Sequence, residues 1–476
     1  MAIEDTLARW LPAQRWYSGT AAIGDLSITA DTTLATGDPE VRHLIVTVPR
    51  NGRAGGSWES SPVARVARGF GGPVPQASTA ATYQVVAGMR PDVPEPLRRA
   101  VIGPAGPGET AYDALYDPNL ARLLLRGMAG QETVGPLRFA IEPGACIDTE
   151  LDSVVLAGEQ SNTSLIFGQS AILKVFRRLF PGQHPDLEVP RALARRGSRH
   201  VAEPLGWIET WTSSGEVMVL AILSRYLPGA SDGWTLASVS LREQFAAAGS
   251  SDGNPGSADQ TANSVNEAFQ LGVATAEVHA DMAVVFGIAK IPDGYAELAS
   301  QMALRLEAAL EEVPELAPHA SSLRDSYASL GALPGPLPVQ RVHGDYHLGQ
   351  VLRTAAGWVL LDFEGEPSVS LQQRRARGPA LRDVAGMLRS FDYAARHQLL
   401  DHPDATRLSD AADDWERRCQ EAFCDGYAAA AGVDPRASGI MLRALMLDKA
   451  VYETVYEARH RPSWLPIPLG SIAKAQ

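Results

Sequence analysis

Val342-His343-Gly344-Asp345-Tyr346-His347-Leu348-Gly349-Gln350-Val351-Leu352, with Trp358-Val359-Leu360-Leu361-Asp362-Phe363-Glu364-Gly365 shortly after it, is the stretch whose reading decides the fold. Asp345 follows a glycine at the end of an apolar run, so its carboxylate can project from a tight loop. Val351-Leu352 and Trp358 to Leu361 read as two short strands that fold back around Thr354 to Gly357. That hairpin returns Asp362 to the neighbourhood of Gln350, seventeen residues after Asp345 and five residues after it respectively. An amide oxygen and a carboxylate would then share one divalent cation, with Glu364 a further oxygen donor beside them.

Groups in this order suit phosphoryl transfer from ATP. That reaction needs an acceptor hydroxyl held in line, a carboxylate to take its proton, and Mg²⁺ to neutralise phosphate charge. Asp345 is the candidate base, and Gln350, Asp362 and Glu364 are the candidate metal ligands. A His-Gly-Asp tripeptide alone is a weak signal, because an Asp after a strand is commonly a turn or cap residue. The three polar groups around an intervening hairpin are far more specific.

Partners for such a site are expected upstream. Lys174 sits inside Ala171-Ile172-Leu173-Lys174-Val175-Phe176, an otherwise apolar strand where an unpaired lysine would be costly to bury. Glu188 lies fourteen residues on, in a candidate helix over 185–195, and is the expected ion-pair partner. Gly158 to Ser164 reads as a polar turn between strands, and Gln160, Ser161, Asn162, Thr163 and Ser164 offer N–H and hydroxyl groups to phosphate. There is no Walker A sequence, no H-R-D, no A-P-E segment and no G-x-G-x-x-G loop in this region, which disfavours P-loop enzymes and eukaryotic-type protein kinases.

Working outward, residues 136–228 carry short β-branched runs at 153–156, 164–167, 171–176 and 217–223. From about 229 onward helical spacing dominates, over 265–283, 295–313, 381–396, 405–432 and 437–461, interrupted by strand-like 339–342 and by the hairpin. Residues 1–135 read as a small mixed domain with strands at 43–48 and 83–86 and a helix after Pro118. The Gly/Ser/Pro-rich stretch 51–80 and the polar stretch 250–264 read as loops or linkers. No repeat is present. The expected fold is α+β: a bilobal, protein-kinase-like arrangement with a cap and the start of an intermediate subdomain in 1–135, a β-rich ATP-binding lobe in 136–228, and a helical catalytic lobe in 229–476.

A formal net charge of −13 argues against nucleic-acid or acidic-lipid binding. Three cysteines, Cys146, Cys419 and Cys424, cannot all pair, which fits a reducing compartment. Neither a signal peptide nor an apolar run of about 20 residues is found, so a cytoplasmic protein without a membrane anchor is expected.

One motif points elsewhere. Gly229-Ala230-Ser231-Asp232-Gly233 matches the G-x-S-x-G nucleophile elbow and makes a serine hydrolase using Ser231 a second hypothesis. Pro228 and the intervening Ser224-Arg225-Tyr226 separate it from its strand, and the alternating strand–helix order of a doubly wound sheet is missing. In the kinase reading this is the hinge segment. A catalytically dead binding module is disfavoured because Asp345, Asp362 and Lys174 are all present.

Longer motifs resemble one family, the bacterial maltokinases of the aminoglycoside phosphotransferase and protein-kinase-like superfamily. They are Leu11-Pro12-Ala13-Gln14-Arg15-Trp16-Tyr17, Asp113-Ala114-Leu115-Tyr116-Asp117, Glu159 to Ser164, Ala171 to Arg178, Val342 to Asp345, Asp362 to Pro367, Phe423-Cys424-Asp425-Gly426-Tyr427 and Asp448 to Pro468. Tyr346 stands where that family commonly has leucine, and 51–80 looks like an expansion of the cap. The resemblance implies ATP-dependent phosphorylation of maltose at its anomeric hydroxyl, feeding α-glucan (glycogen) synthesis in a route linked to trehalose. It also implies Asp345 as base, Mg²⁺ on Gln350 and Asp362, and Lys174 on ATP phosphates. A trehalose-metabolising enzyme could dock on the cap, where Trp10, Trp16 and Tyr17 are either a partner surface or small-domain core, the latter being the simpler reading.

The sugar site is expected on the helix after Asp448. Lys449, Tyr452, Glu453 and Tyr456 share one face at i, i+3, i+4 and i+7, with Trp464 beyond them before a Pro-rich exit at Leu465 to Pro468. His347 is a further candidate contact. Glucosamine kinases share the catalytic groups, so glucosamine or another free sugar is the alternative acceptor.

Overall fold

The computed structural model describes residues 3–17, 26–49, 80–156, 161–249, 256–365 and 370–475. All but Ala80 of the expected loop at 51–80, Gln160 and the first part of the expected linker at 250–264 lie outside them, and Ala80 begins a strand. The described residues fall into two compact units. One holds 3–49, 80–191 and 202–228; the other holds 192–201 and 229–475.

The first unit is built on two antiparallel sheets. Strands β1 (Ser27–Ala35), β2 (Glu40–Pro49), β3 (Ala80–Arg90), β4 (Val101–Gly106) and β5 (Glu109–Asp113) form a sheet in the order β1-β2-β3-β5-β4, with helix α1 (Ile3–Trp10) against it. Helix α2 (Pro118–Gly130) follows. The second sheet has β6 (Thr133–Val134), β7 (Leu137–Ile141), β8 (Ser153–Val155), β9 (Asn162–Phe167), β10 (Ala171–Phe176), β12 (Pro204–Trp211) and β13 (Val217–Arg225), in the order β6-β7-β12-β13-β10-β9-β8. Strand β11 (Arg178–Leu179) leaves this sheet region and pairs with β3. Helix α3 (Pro185–Arg195) follows β11.

One apolar core joins the two sheets: Val41, Ile45 and Val86 of the first pack with Leu165, Leu173 and Leu220 of the second. Burying each such side chain contributes about 1.5–3 kcal/mol. Gln84 reinforces the seam. Its amide donates to the carbonyls of Phe176 and Leu220, both at 2.6 Å, and its oxygen accepts from His43 Nε2 at 2.8 Å. Trp10, Trp16 and Tyr17 pack half-buried on the core around Tyr83, the small-domain-core reading of the two open to the sequence.

The second unit is mainly helical. Its longer helices are α4 (Gly233–Gly249), α5 (Gly256–Phe286), α6 (Gly294–Glu312), α7 (Ala320–Gly331), α8 (Leu381–Leu399), α9 (Ala405–Ala431), α10 (Gly439–His460) and α11 (Pro466–Lys474). Two small antiparallel sheets punctuate them. Strand β14 (Ser231–Asp232) joins β17 (Val351–Thr354) and β18 (Gly357–Leu360), and β15 (Ala289–Ile291) pairs with β16 (Leu337–Val339).

Three boundaries correct the sequence reading. The helix expected from 265 begins at Gly256, so 256–264 is helix and not linker. Strand β16 stops at Val339, after which Gln340 pairs only with Gly378. The Pro-rich exit is the first turn of α11, where Pro466 and Pro468 occupy positions whose N–H groups need no partner within the helix. Ser231 sits in a strand paired with Arg353, and every named strand pair is antiparallel, so the sheet that a nucleophile elbow requires is not this one. Among the described residues no helix is long and apolar enough to cross a membrane.

Candidate active site

The hairpin forms as its sequence requires, with Val351 opposite Leu360 and Thr354 opposite Gly357. Beyond β18 the chain stays tied to its start, since Leu361 N donates to Gln350 O at 2.9 Å. Asp362 then takes a left-handed backbone, φ 64°, unusual for a residue with a Cβ. The strand expected over Trp358 to Leu361 runs from Gly357 to Leu360 and so ends before Asp362. This kink aims the carboxylate back at the hairpin's first strand, where Gln350 Nε2 donates to Asp362 Oδ2 at 3.2 Å. Carboxylate oxygens of Asp362 and Glu364 lie within 4.8 Å of one another, donors of the kind Mg²⁺ takes. Glu364 lies on the next turn and pairs with Arg374 at 3.5 Å.

The loop carrying Asp345 is held by groups on neighbouring elements. Gly344 has φ 87°, and a Cβ there would come to 3.3 Å from Gly365 Cα, so glycine suits both the turn and the close approach. His343 donates from Nε2 to Leu361 O at 2.7 Å and packs on the Phe363 ring at 4.9 Å. Helix α8 supplies the anchor: Asp383, 1 % exposed, accepts from His343 N at 2.7 Å and from Gly344 N at 2.9 Å. Its third donor is His279 Nε2 of α5 at 3.0 Å, and His279 Nδ1 meets Tyr427 Oη of α9 at 3.0 Å. Burial pushes the Asp383 carboxyl up, but His279, His343 and the Gly344 N–H outweigh it and leave it below the usual range. Gly386 of α8 lets the loop lie close, because a Cβ there would collide with Tyr346 O at 2.6 Å.

Asp345 faces Lys449 of α10, with Nζ to Oδ1 at 3.2 Å. Burial raises this carboxyl, while Lys449, His347 and His343 lower it further, so it sits below the ordinary carboxylate value. It is thus a carboxylate at neutral pH, as a proton acceptor must be. Lys449 Nζ also lies 4.8 Å from the centre of the Tyr452 ring. His347 caps the short turn Leu348–Gln350, its Nδ1 accepting from Gly349 N at 3.1 Å, and burial holds its imidazole below the usual value.

The remaining residues expected at the sugar site divide. Tyr456 stacks between Tyr452 at 6.5 Å and His460 at 4.4 Å. Glu453 is pulled into a pair with Arg389 at 2.6 Å. Trp464 joins a separate aromatic group with His397 at 4.5 Å and Tyr393 at 6.2 Å, and Arg461 lies over its ring at 4.1 Å.

In the first unit, Lys174 occupies the half-buried face of β10 and is bonded to Asp186 Oδ2 at 2.9 Å. Asp186 is two residues before Glu188 on α3, and the sequence reading had not singled it out. Asn162, Thr163 and Ser164 are strand residues opposite Phe176, Val175 and Lys174, so the expected polar turn is shorter than its composition suggested. Thr163 and Ser164 are buried, and the Thr163 hydroxyl accepts from Arg177 Nε at 2.8 Å. Only Ser161 of the five remains outside the strand among the described residues.

A β-rich unit bearing a paired lysine and a helical unit bearing Asp345 before a hairpin flanked by Gln350 and Asp362 have the arrangement of a kinase-like phosphotransferase. Residues 154–420 match the model of the phosphotransferase enzyme family, over half of the chain, and the chain belongs to that family. Residues 10–117 match the maltokinase N-terminal cap domain. A glucosamine kinase of Streptacidiphilus jiangxiensis is 33% identical over 325 residues, covering 65% of this chain and 70% of that protein. A second, from Mycolicibacterium smegmatis, is 30% identical over 326 residues, covering 65% and 76%. The solved structure of a glucosamine kinase (crystal form B) superposes with a TM-score of 0.69 at 25% identity, covering 99% of this chain and 98% of that one. A glucosamine kinase in complex with glucosamine, ADP and inorganic phosphate has a TM-score of 0.67 at 24% identity, covering 99% and 98%, a likeness of fold alone.

Proposed function

We propose that the protein is an ATP-dependent kinase of a free sugar, with glucosamine the acceptor that its relatives favour. The observation that carries this reading is Asp345, a half-buried carboxylate beside Lys449 on a loop fastened by Asp383, in a chain with two curated relatives that are glucosamine kinases. Asp345 takes the proton of the attacking hydroxyl, and Lys449 orients it. Gln350, Asp362 and Glu364 would hold Mg²⁺, which when bound neutralises the nucleotide phosphates. Lys174, positioned by Asp186 or Glu188, and Ser161 at the start of β9 are assigned to ATP. Tyr452, Tyr456 and Trp464 offer ring faces to the sugar. The ADP named with the solved glucosamine kinase supports ATP as donor.

The sequence expectation put maltose ahead of glucosamine, and the relatives do not carry that order. Maltose stays as a second reading on two observations. The cap matches the maltokinase cap model, and Glu453 and Glu457 are each engaged by an arginine, Arg389 and Arg461, which suits a neutral acceptor better than an ammonium. ADP release with ATP, Mg²⁺ and glucosamine, maltose, glucose or trehalose decides between them, with NMR locating the phosphate. Glucosamine-dependent release supports the first reading. Release with maltose alone, phosphate on the anomeric carbon, supports the second. Release with no sugar tested overturns the sugar-kinase reading.

A further inference from the structure

We propose that the C-terminal helices border an open binding site for a small organic anion with an apolar body, and that Arg389 couples its occupancy to Glu453. The site is a cavity of about 280 Å³ between α10, α11 and α8. Its size is near the lower end for small-molecule pockets. Leu442, Met446 and Leu447 of α10 form an apolar wall, and Arg389, Arg436 and Arg443 supply the cations. No Asp or Glu lines it among the described residues, in a chain whose net charge is −13.

The three arginines are not equivalent. Arg436 is balanced by Asp434 and Asp425, and Arg389 by Asp392 and Glu453. Arg443 donates to a backbone carbonyl, that of Ala475, so it brings a positive charge without a carboxylate at that contact. Gly439, the first residue of α10, also lines the cavity, adding the positive end of a 22-residue helix. A lone helix end would mean little; here it meets Arg443 and the buried Arg389, 3 % exposed, over an apolar wall. An apolar body with one anionic head matches that lining.

Coupling follows from which groups Arg389 holds. Its Nη2 donates to Glu453 Oε2 at 2.6 Å, and Glu453 lies one helical turn from Lys449, the partner of Asp345. The opposite side of the pair is fixed by Asp392, which accepts from the Ser471 hydroxyl of α11. An anion that draws on Arg389 changes the field and position of Glu453. By linkage, acceptor and anion then alter each other's affinity by one shared factor. The coupling rests on the proposed sugar site; the cavity itself does not.

Octanoate serves as the probe, and octanol, with the same chain and no charge, as its control. Calorimetry on the full chain should show saturable octanoate binding, weaker by about tenfold or more for octanol and for Arg443→Glu. Met446→Trp, which fills the cavity without touching the charges, should abolish it, and circular dichroism establishes that each variant is folded. Octanoate should also shift the KM of the sugar acceptor by about fivefold or more while leaving that of ATP unchanged. No saturable binding, equal binding of octanol, or binding untouched in both variants overturns the site. Binding with an unmoved acceptor KM overturns the coupling. Calorimetry needs no turnover, so failure of the sugar assignment is read separately.

Discussion

Asp345 serves as a base only as a carboxylate, and its surroundings pull in opposite directions. Burial favours the neutral acid; Lys449, His347 and His343 favour the anion and prevail. Because its folded-state pKa lies below the ordinary value, the stability it contributes is present above that value and is lost as pH falls through the folded one. Lys449→Met removes the nearest cation and leaves the burial, so the acid limb of kcat/KM against pH should move to higher pH. A limb that stays put, or moves to lower pH, would separate Lys449 from the base. Asp345→Asn should lose about 10²- to 10⁴-fold in kcat with an unchanged fold. Asp362→Ala should abolish Mg²⁺-dependent turnover; retained activity would move the metal elsewhere. Much of this site was legible because it is local: Asp345, Gln350 and Asp362 flank one short hairpin. Asp383 was not, since an acidic residue in a helix's first turn reads as a partner for the helix dipole. The two N–H groups it accepts are 39 and 40 residues away in sequence.

At the scale of elements, the long helices were legible and their meeting was not. Periodicity placed α5, α8, α9 and α10, because one apolar face repeats over many turns. Prolines hid α11, and polar composition hid the start of α5. What fixes the α5–α9 crossing is a pair of glycines. A Cβ on Gly272 would collide with the carbonyl oxygen of Phe423, and one on Gly426 with that of Phe269. Two backbones in contact cannot yield as a flexible side chain would. Gly426→Ala should therefore destabilise the protein by about 1–3 kcal/mol or more through overpacking, although alanine is the better helix former in isolation. A thermal melt measures it. An unchanged or raised Tm would mean that the helices separate at little cost, and the close crossing would not be what holds α9 against α5. His279, which meets Asp383, and Tyr427 lie on these helices one to two turns or less from the glycines, so a splayed crossing should also lower kcat.

At the scale of the whole molecule, the first unit joins its two sheets by a buried ion pair that neither local pattern announced. Arg177, 1 % exposed, follows β10 and reaches Asp113 at the end of β5, with Thr163 and the Trp16 ring as its other neighbours. In sequence, Arg177 is one of two adjacent arginines and Asp113 one of many acids; 64 residues separate them, so only the folded arrangement pairs them. A buried pair adds little against apolar replacements of similar volume, but removing one partner strands a charge. Asp113→Ala should cost about 3–5 kcal/mol, and the added change Arg177→Met should recover a substantial part of it. Urea unfolding followed by tryptophan fluorescence reads this, because Trp16 and Trp207 report on the first unit. The Asp113→Ala variant should gain an early transition that Arg177→Met removes, while the transition of the helical unit keeps its midpoint. Additive losses in the double variant would refute the stranded charge and leave the pair as one contact among many.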